Sequence, residues 1–315
     1  MTFTRHFKNI TKNDAAIAGG KGASLGEMTR AGIPVPPGFV VLSSAFEQFV
    51  AESGLEVEID AALDSVKLEQ MHTVEGASEK IQALILATET PADIKSEIEK
   101  EFRALRCRYV AVRSSATAED SARAAWAGQL DTFLNTTAET LLENVRRCWA
   151  SLFTPRAIFY RFEKKLGGQK ISVAVVIQKM VESEISGIAF SVHPVTQDRN
   201  QLLIEAAYGL GEAVVSGSIT PDSYVVEKNT WLITSVYVAD QEREIVRLAS
   251  GGNEWKPVIE SKRNEQKLTR EKILELAKLI ALIEDHYDFP VDVEWALLNH
   301  KFFITQSRPI TTLGA

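Results

Sequence analysis

Residues 291–309 (VDVEWALLNHKFFITQSRP) predict a β-hairpin, and this segment constrains the fold more than any other part of the sequence. In its first half, apolar residues alternate with Asp292, Glu294 and Ala296, so one face of the strand is apolar and the other carries two carboxylates. The second half is rich in residues that favour strands, and Pro309 ends it. We therefore expect two antiparallel strands that share one polar face.

The register of this hairpin decides which side chains meet on the polar face. A two-residue turn at the tip would place Gln306 opposite an apolar position. A three-residue turn at residues 299–301 instead pairs Glu294 with Gln306 and Asp292 with Arg308. Because a slip of one residue moves every side chain to the other face, only the second register gathers these polar groups. We therefore predict the three-residue turn.

The groups on that face indicate a particular chemistry. Carboxylate and amide oxygens are ligands that Mg²⁺ prefers, and a guanidinium binds phosphate oxygens. The hairpin therefore predicts a metal and phosphate site. A surface hairpin with one salt bridge explains the same residues, and the hairpin alone does not separate the two interpretations.

The composition excludes several classes of protein. The sequence has 315 residues, of which 45% are hydrophobic and 24% charged, and this is typical of a globular protein. The formal net charge of −7 argues against nucleic acid or an anionic membrane as the main partner. Neither a membrane span nor an apolar signal core is evident. Cys107 and Cys148 lack metal-like spacing and indicate reduced thiols, so we expect a cytoplasmic location.

A glycine-rich segment near the amino end is the first candidate phosphate site. Gly19-Gly20-Lys21-Gly22 precedes a helical pattern, so backbone N–H groups at the helix start and the lysine could bind phosphate. The segment is not the GxxxxGK[ST] phosphate loop. A glycine-rich turn with a solvated lysine remains the alternative.

A segment rich in hydroxyl groups is the second candidate. The predicted strand that ends at Arg113 runs into Ser114, Ser115 and Thr117, and hydroxyls beside an arginine suit a phosphate cradle. An ordinary polar turn would use the same residue types.

A third candidate lies at the end of a continuous β-branched strand. Residues 171–177 are apolar, and Gln178 follows them with Lys179, Met180 and Val181. An amide at a strand end could bind the edge of a base, and the apolar residues could cover its ring. A core strand followed by a turn is the alternative.

The second half of the chain predicts mainly antiparallel strands with few helices. Residues 249–266 are polar and contain glycine, so we expect a loop there. An amphipathic pattern predicts a helix over residues 269–286.

Taken together, six separated motifs give the sequence a family resemblance. In chain order they are VRSSATAED, AGQLDTFLN, VIQKMV, SGIAFSVHP, GLGEAVVSG with TPD, and DVEWA with QSRP. Over residues 10–312 the sequence resembles the amino-terminal ATP-binding module of the phosphoenolpyruvate synthase, pyruvate phosphate dikinase and rifampin phosphotransferase family. The resemblance implies an α+β ATP-grasp fold in which the nucleotide lies in a cleft between two lobes. We expect these lobes at residues 1–190 and 191–315.

The resemblance also implies site residues and the cofactors ATP and Mg²⁺. Lys21, Arg113 and Arg308 would act in catalysis by neutralising phosphate charge. Glu294 and Gln306 would coordinate Mg²⁺ with Asp292 beside them. Residues implied to contact the nucleotide or its metal are Lys21, Arg113, Ser115, Thr117, Gly128, Thr132, Gln178, Lys179, Met180, Val181, Glu212, Glu294, Gln306 and Arg308. Among them Gln178 would lie by the adenine, Gly128 and Thr132 in a lid over the triphosphate, and Glu212 by the ribose or the metal.

The implied activity is that of an ATP-dependent phosphotransferase. The module would pass a phosphoryl group from Mg-ATP to a histidine on a swivelling domain, in cis or in trans, with the small-molecule acceptor bound elsewhere. In a complete phosphoenolpyruvate synthase, ATP, pyruvate and water give phosphoenolpyruvate, AMP and phosphate. The ATP-binding domain of a rifampin phosphotransferase is one alternative, and a non-catalytic regulatory module that binds nucleotide is another.

The sequence departs from the family pattern in two respects. Ser121-Ala122-Arg123 stands where the family commonly has leucine-proline, and Trp126 stands where phenylalanine is usual. The family's Gly-Gly-x-x-x-His-Ala motif, which carries the phosphorylated histidine, does not occur in this sequence. We therefore expect that the histidine lies outside this chain.

Overall fold

A computed structural model describes residues 2–117, 131–163, 172–248 and 251–311. The chain divides into two compact units. The first unit comprises Met1–Glu27 and Pro37–Met180, and the second comprises Met28–Pro36 and Val181–Ala315. Helices and strands occur in both units, so the fold mixes α and β structure as predicted.

The first unit contains, within its described residues, a five-stranded sheet in which each neighbouring pair is antiparallel. Its strands are β1 (Thr4–His6), β2 (Gly38–Val41), β3 (Val110–Ala116), β4 (Thr132–Thr136) and β5 (Val173–Lys179). They lie in the order β1-β2-β5-β3-β4. The strand that ends in Gln178 is therefore central and has neighbours on both sides.

Seven α-helices begin in the first unit within the described ranges. They are α1 (Ala15–Arg30), α2 (Ser43–Glu52), α3 (Leu55–Asp64), α4 (Met71–Ala87), α5 (Ala92–Ala104), α6 (Leu141–Ala150) and α7 (Pro155–Glu163). Helix α1 begins in this unit and is interrupted at Gly19, where φ is 68° and ψ is 169°.

The hydrophobic core of the first unit occupies one face of the sheet. Apolar side chains at alternate positions of β2, β3 and β5 pack with those of α2 to α7, and the rings of Phe49 and Trp149 lie 4.8 Å apart between centroids. Because successive side chains of a strand point to opposite faces, the other face carries Arg113, Ser115 and Gln178. The candidate phosphate and base residues thus share the face that the core does not use.

The second unit is built on an antiparallel six-stranded sheet. Its strands are β6 (Ile185–Phe190), β7 (Gln201–Tyr208), β8 (Asp222–Glu227), β9 (Leu232–Tyr237), β12 (Val291–Leu298) and β13 (Lys301–Pro309), in the order β13-β12-β6-β7-β8-β9. The short helix α8 (Glu212–Val215) follows β7, and α9 (Arg270–Tyr287) packs on strands β7, β8 and β12. The prediction of antiparallel strands with few helices is confirmed.

A separate hairpin corrects one prediction. Strands β10 (Arg243–Arg247) and β11 (Asn253–Pro257) pair with each other, so the loop predicted over residues 249–266 was wrong for β11. Strand β11 is mostly exposed, and its sequence therefore lacks the apolar alternation that marks a half-buried strand.

A buried ion pair links three segments of the second unit. The side chains of Asp222 and Lys267 are both 0% exposed, and Lys267 Nζ lies 3.0 Å from Asp222 Oδ1. Asp222 also accepts hydrogen bonds from Tyr224 Oη at 2.7 Å and from the backbone N–H groups of Ala239 and Lys267. Lys267 Nζ donates to the carbonyl oxygens of Ala239 and Arg263. Asp222, the last residue of the TPD motif, therefore connects strand β8 to the segments that contain Ala239 and Lys267.

No helix in the described ranges is both long enough and apolar enough to cross a bilayer.

Replacing Lys267 with methionine should destabilise the protein, because the Asp222 carboxylate would remain buried without its cation. Breaking such a pair costs about 3–5 kcal/mol. Urea denaturation of wild type and Lys267→Met measures the free energy of unfolding. Lys262→Met is the matched control, since Lys262 is exposed five residues earlier. Equal losses in the two variants would contradict the assigned role of the buried pair.

Candidate functional site

The hairpin of β12 and β13 places the predicted polar pairs together, although its turn differs from the prediction. Glu294 pairs with Gln306 and Asp292 pairs with Arg308, so both predicted pairs are confirmed. The tip, however, pairs Leu298 with Lys301 and leaves a two-residue turn, so the three-residue turn was wrong.

A β-bulge reconciles the short turn with the polar pairing. Asn299 and His300 have φ values of 49° and 61°, and a tight two-residue turn favours positive φ at both positions. Between Trp295, which pairs with Ile304, and Glu294, which pairs with Gln306, strand β13 contains one extra residue. That extra residue shifts the register by one, and it returns the polar side chains to a common face.

The polar face extends across the neighbouring strands. Glu294 pairs with Ile188 of β6, and Ile188 pairs with Glu205 of β7, so Glu205, Glu294 and Gln306 lie in one row across the sheet. The opposite face of β12 is apolar and buried, with Trp295 only 1% exposed. Glu205 was not predicted as a site residue, because its neighbours in strand β7 are apolar and the strand resembles a core strand.

The electrostatics of this face favour a bound cation. Arg308 Nε donates a hydrogen bond of 2.7 Å to Asp292 Oδ2. Burial nevertheless raises the pKa of Asp292, Arg308 opposes that shift, and the charge of Glu294 adds to it. Burial also raises the pKa of Glu205, and the charge of Asp292 raises it further. A cation near these groups would stabilise their ionised forms.

The metal ligands predicted from the sequence are two carboxylates and one amide. Within the residues that the structure describes, no group of three or more histidine, cysteine, aspartate or glutamate side chains could hold a metal ion. The predicted ligands Asp292, Glu294 and Gln306 contain only two such side chains, since the third is an amide. Oxygen donors of this kind suit Mg²⁺ better than zinc.

In the first unit, the glycine segment and the hydroxyl segment contact each other directly. Ser115 is 0% exposed, and its Oγ donates to the Ala18 carbonyl at 3.0 Å and accepts from the Gly22 N–H at 3.2 Å. A Cβ atom placed on Gly19 would lie 2.2 Å from Ser115 Oγ and 2.3 Å from its carbonyl oxygen. The Ser115 hydroxyl thus fixes the backbone beside Lys21.

The remaining phosphate candidates lie on or near the same strands. Arg113 is 8% exposed, and Thr132 is its neighbour on β4. The hydroxyl of Thr117 donates to the Ser172 carbonyl at 3.0 Å. Gly128 lies outside the described residues.

Gln178 is a buried amide at the end of the central strand. It is 2% exposed and lies between Gly38 of β2 and Ala111 of β3. Among the described residues, nothing accepts a hydrogen bond from its Nε2 atom. An unsatisfied buried donor costs about 1–3 kcal/mol, so this atom indicates a position where a ligand acceptor would be favourable.

The three residues after Gln178 have different roles. The backbone N–H groups of Lys179 and Met180 donate to the carbonyl oxygens of Pro37 and Tyr109, which fixes the end of this strand in the first unit. Val181 begins the second unit.

Glu212 lies in the first turn of α8, at the end of a glycine-containing segment that starts at Gly209. Its side chain is exposed, and its Oε2 accepts a hydrogen bond of 2.6 Å from Asn253 Nδ2. Ser186 Oγ donates to the Gly209 carbonyl at 2.6 Å, and Ser186 pairs with Ala296. The segment that starts at Gly209 is therefore attached to the polar face at Ser186. The partner of Ser186 in β12 is Ala296, two residues from Glu294 and on the same face.

Comparisons with known proteins give a consistent result. The sequence matches the family described as pyruvate phosphate dikinase, AMP/ATP-binding domain, over residues 15–315. It is 45% identical to a probable phosphoenolpyruvate synthase of Methanothermobacter thermautotrophicus, covering 100% of this chain and 47% of the relative. It is 40% identical to the phosphoenolpyruvate synthase of Pyrococcus furiosus, covering 99% of this chain and 44% of the relative. It is 39% identical to the rifampicin phosphotransferase of Bacillus cereus, covering 99% of this chain and 36% of the relative. The chain thus spans less than half the length of these relatives.

Replacing Gly19 with alanine should destabilise the first unit strongly. The new Cβ would overlap Ser115, and the backbone conformation at Gly19 is one that glycine alone adopts easily. We expect a loss of about 3 kcal/mol or more in the free energy of unfolding. Gly54→Ala is the control for a positive φ without overlap, because Gly54 is in the left-handed region (φ 68°, ψ 14°) with open space around it. That control should lose only about 1 kcal/mol, and a loss as large as that of Gly19→Ala would contradict the overlap.

Glu205→Gln should change stability in a pH-dependent way. The folded protein holds the Glu205 proton more tightly than the unfolded chain, because its pKa is raised on folding. Stability from this group is therefore full below the unfolded pKa and is lost as pH rises through the folded pKa. The free energy of unfolding of the variant, minus that of wild type, should therefore be larger at pH 8 than at pH 4. Denaturation curves at both pH values test this, with the exposed Glu242→Gln as control. A gain of equal size in the control, or no gain, would contradict it.

Proposed function

Because this chain belongs to the pyruvate phosphate dikinase AMP/ATP-binding domain family, we propose that it binds Mg-ATP and donates a phosphoryl group from it. The observation that carries this proposal is the register of β12 and β13, which gathers Asp292, Glu294, Gln306 and Arg308 on one face. In this proposal the two units are the two lobes of an ATP-grasp fold, and each supplies part of the nucleotide site.

The first unit would bind the base and part of the triphosphate. The Gln178 Nε2 donor would meet a ring nitrogen of adenine, since a purine offers nitrogen acceptors at its edge. Lys179, Met180 and Val181 would lie beside the base. Arg113 would neutralise phosphate oxygens from the same face of the sheet.

The glycine segment would hold further phosphate oxygens. The helix that resumes after Gly19 begins beside Lys21, where backbone N–H groups and a positive potential favour anions. Ser115 would support this segment through its bonds to the backbone. Thr117, Gly128 and Thr132 would complete the phosphate site.

The second unit would bind the metal. Glu294 and Gln306 would supply oxygen ligands to Mg²⁺, with Asp292 beside them, and the ion would neutralise phosphate charge when bound. Arg308 would hold phosphate oxygens, and Glu212 would hold the ribose. Phosphoryl transfer depends on positioning and charge neutralisation more than on covalent chemistry by the protein, and these residues would supply both.

The acceptor would lie outside the chain. We infer that the phosphoryl group passes to a histidine on a swivelling domain, in cis or in trans, because the relatives are more than twice as long as this chain. In a complete phosphoenolpyruvate synthase the net reaction would convert ATP, pyruvate and water to AMP, phosphoenolpyruvate and phosphate. Transfer of labelled phosphate to an added histidine-bearing domain tests this step.

A second candidate has a specific observation in its favour. The rifampicin phosphotransferase of Bacillus cereus covers 99% of this chain at 39% identity, which is close to the identity of the Pyrococcus furiosus relative. The final acceptor would then be the antibiotic, and residues outside this chain would select it. If ATP binds but no phosphate is transferred or hydrolysed, a regulatory nucleotide-binding module is favoured instead.

Calorimetry with Mg-ATP tests the site. Glu294→Ala and Arg308→Ala should each weaken binding by about tenfold or more, because each removes a charged contact worth about 1.5–3 kcal/mol. Lys301→Ala is the matched control, since Lys301 is exposed at the other end of the strand that carries Arg308. Equal affinity in wild type and the two site variants would refute the assignment.

A further inference from the structure

The hairpin of β10 and β11, together with Gln241 just before it, is hydrogen-bonded to residues 208, 210 and 212. Gln241, just before the hairpin, accepts from the Tyr208 N–H at 2.9 Å through its Oε1 and donates to the Tyr208 carbonyl through its Nε2. The Leu210 N–H donates to the Ile245 carbonyl at 2.9 Å. These bonds fix the backbone of the segment on one side.

The last bond of the series reaches a side chain instead of the backbone. Asn253 at the start of β11 donates from Nδ2 to Glu212 Oε2 at 2.6 Å. The segment also passes close to the hairpin at Gly209, where φ is 83° and a Cβ atom would lie 2.5 Å from the Ile245 carbonyl. The hairpin therefore positions both the backbone and the terminal carboxylate.

The bond to Asn253 leaves the carboxylate able to bind a ligand. Glu212 is exposed, and an exposed glutamate normally samples several rotamers. The amide occupies Oε2, and no donor in the described part of the chain is bonded to Oε1, so this oxygen can accept from a ligand. Because an amide carries no charge, it orients the carboxylate without neutralising it, whereas a lysine or an arginine would neutralise it. A fixed carboxylate with a free oxygen suits a ligand that presents hydroxyl donors.

We propose that Asn253 is a positioning residue that holds Glu212 to accept hydrogen bonds from the ribose hydroxyls, and so makes the site selective for ribonucleotides. This inference rests on the proposed function, in which Glu212 binds the ribose of ATP. The link from Ser186 to Gly209 keeps the segment on the face that carries Glu294, so one nucleotide could engage both carboxylates. Vicinal ribose hydroxyls are two donors, and a carboxylate can accept both.

Calorimetry with Mg-ATP and with 2′,3′-dideoxy-ATP tests the inference. Wild type should bind ATP at least about tenfold more tightly than the dideoxynucleotide, because tenfold is the effect of one charge-assisted hydrogen bond and the dideoxynucleotide lacks both hydroxyls. Asn253→Ala should remove most of this preference by weakening ATP binding about five- to tenfold and leaving the dideoxynucleotide within about twofold. Asn253→Asp should weaken ATP binding more than Asn253→Ala does, since the new carboxylate repels Glu212.

Controls separate positioning from folding. Glu254→Ala changes the next, exposed residue of β11 and should keep the wild-type preference. In a Glu212→Gln background, Asn253→Ala should have no further effect on the ratio of the two affinities. Melting temperatures identify any variant that unfolds.

The outcomes distinguish the two proposals. If wild type binds neither nucleotide, the proposed function is refuted, and this inference with it. If wild type prefers ATP but Asn253→Ala and Asn253→Asp keep the full preference, only the inference is overturned. Equal binding of both nucleotides by wild type also overturns the inference while leaving ATP binding intact.

Discussion

The β-bulge beside Glu294 is the constraint on which the candidate site depends. A tight turn at Asn299-His300 sets one register for the hairpin tip, and the polar pairs need the register that differs by one residue. One extra residue in β13 satisfies both requirements. Without it, either the tip of the hairpin or the polar pairs would be out of register, because a shift of one residue turns the side chains of β13 to the other face.

Sequence patterns predicted the parts of the structure that depend on local alternation. The pairing of Glu294 with Gln306 followed from the polar face of the hairpin, and the helix over residues 269–286 followed from its apolar periodicity. The turn was mispredicted because a bulge needs no signature beyond one additional residue. Glu205 was not predicted as a site residue because its neighbours are apolar, and strand β11 was missed because it pairs without burying an apolar face.

Two groups of charges in the second unit illustrate opposite solutions to burial. Asp222 and Lys267 are completely enclosed, and hydrogen bonds satisfy the carboxylate and the ammonium together. Asp292 and Glu205 are only partly enclosed, and burial with like charges nearby raises the pKa of each. The first arrangement rigidifies the sheet. The second makes ionisation of Asp292 and Glu205 costly, and titratable groups perturbed in this way are more often found at functional sites than elsewhere.

The contact between Gly19 and Ser115 has a genetic consequence. The closest approaches to a Cβ at Gly19 involve the Ser115 hydroxyl and also its backbone carbonyl. Trimming the serine to alanine or glycine would remove the hydroxyl and leave the carbonyl in place. A suppressor screen that starts from an alanine at this position should therefore return true revertants and no compensating change at Ser115, because every amino acid brings the same carbonyl.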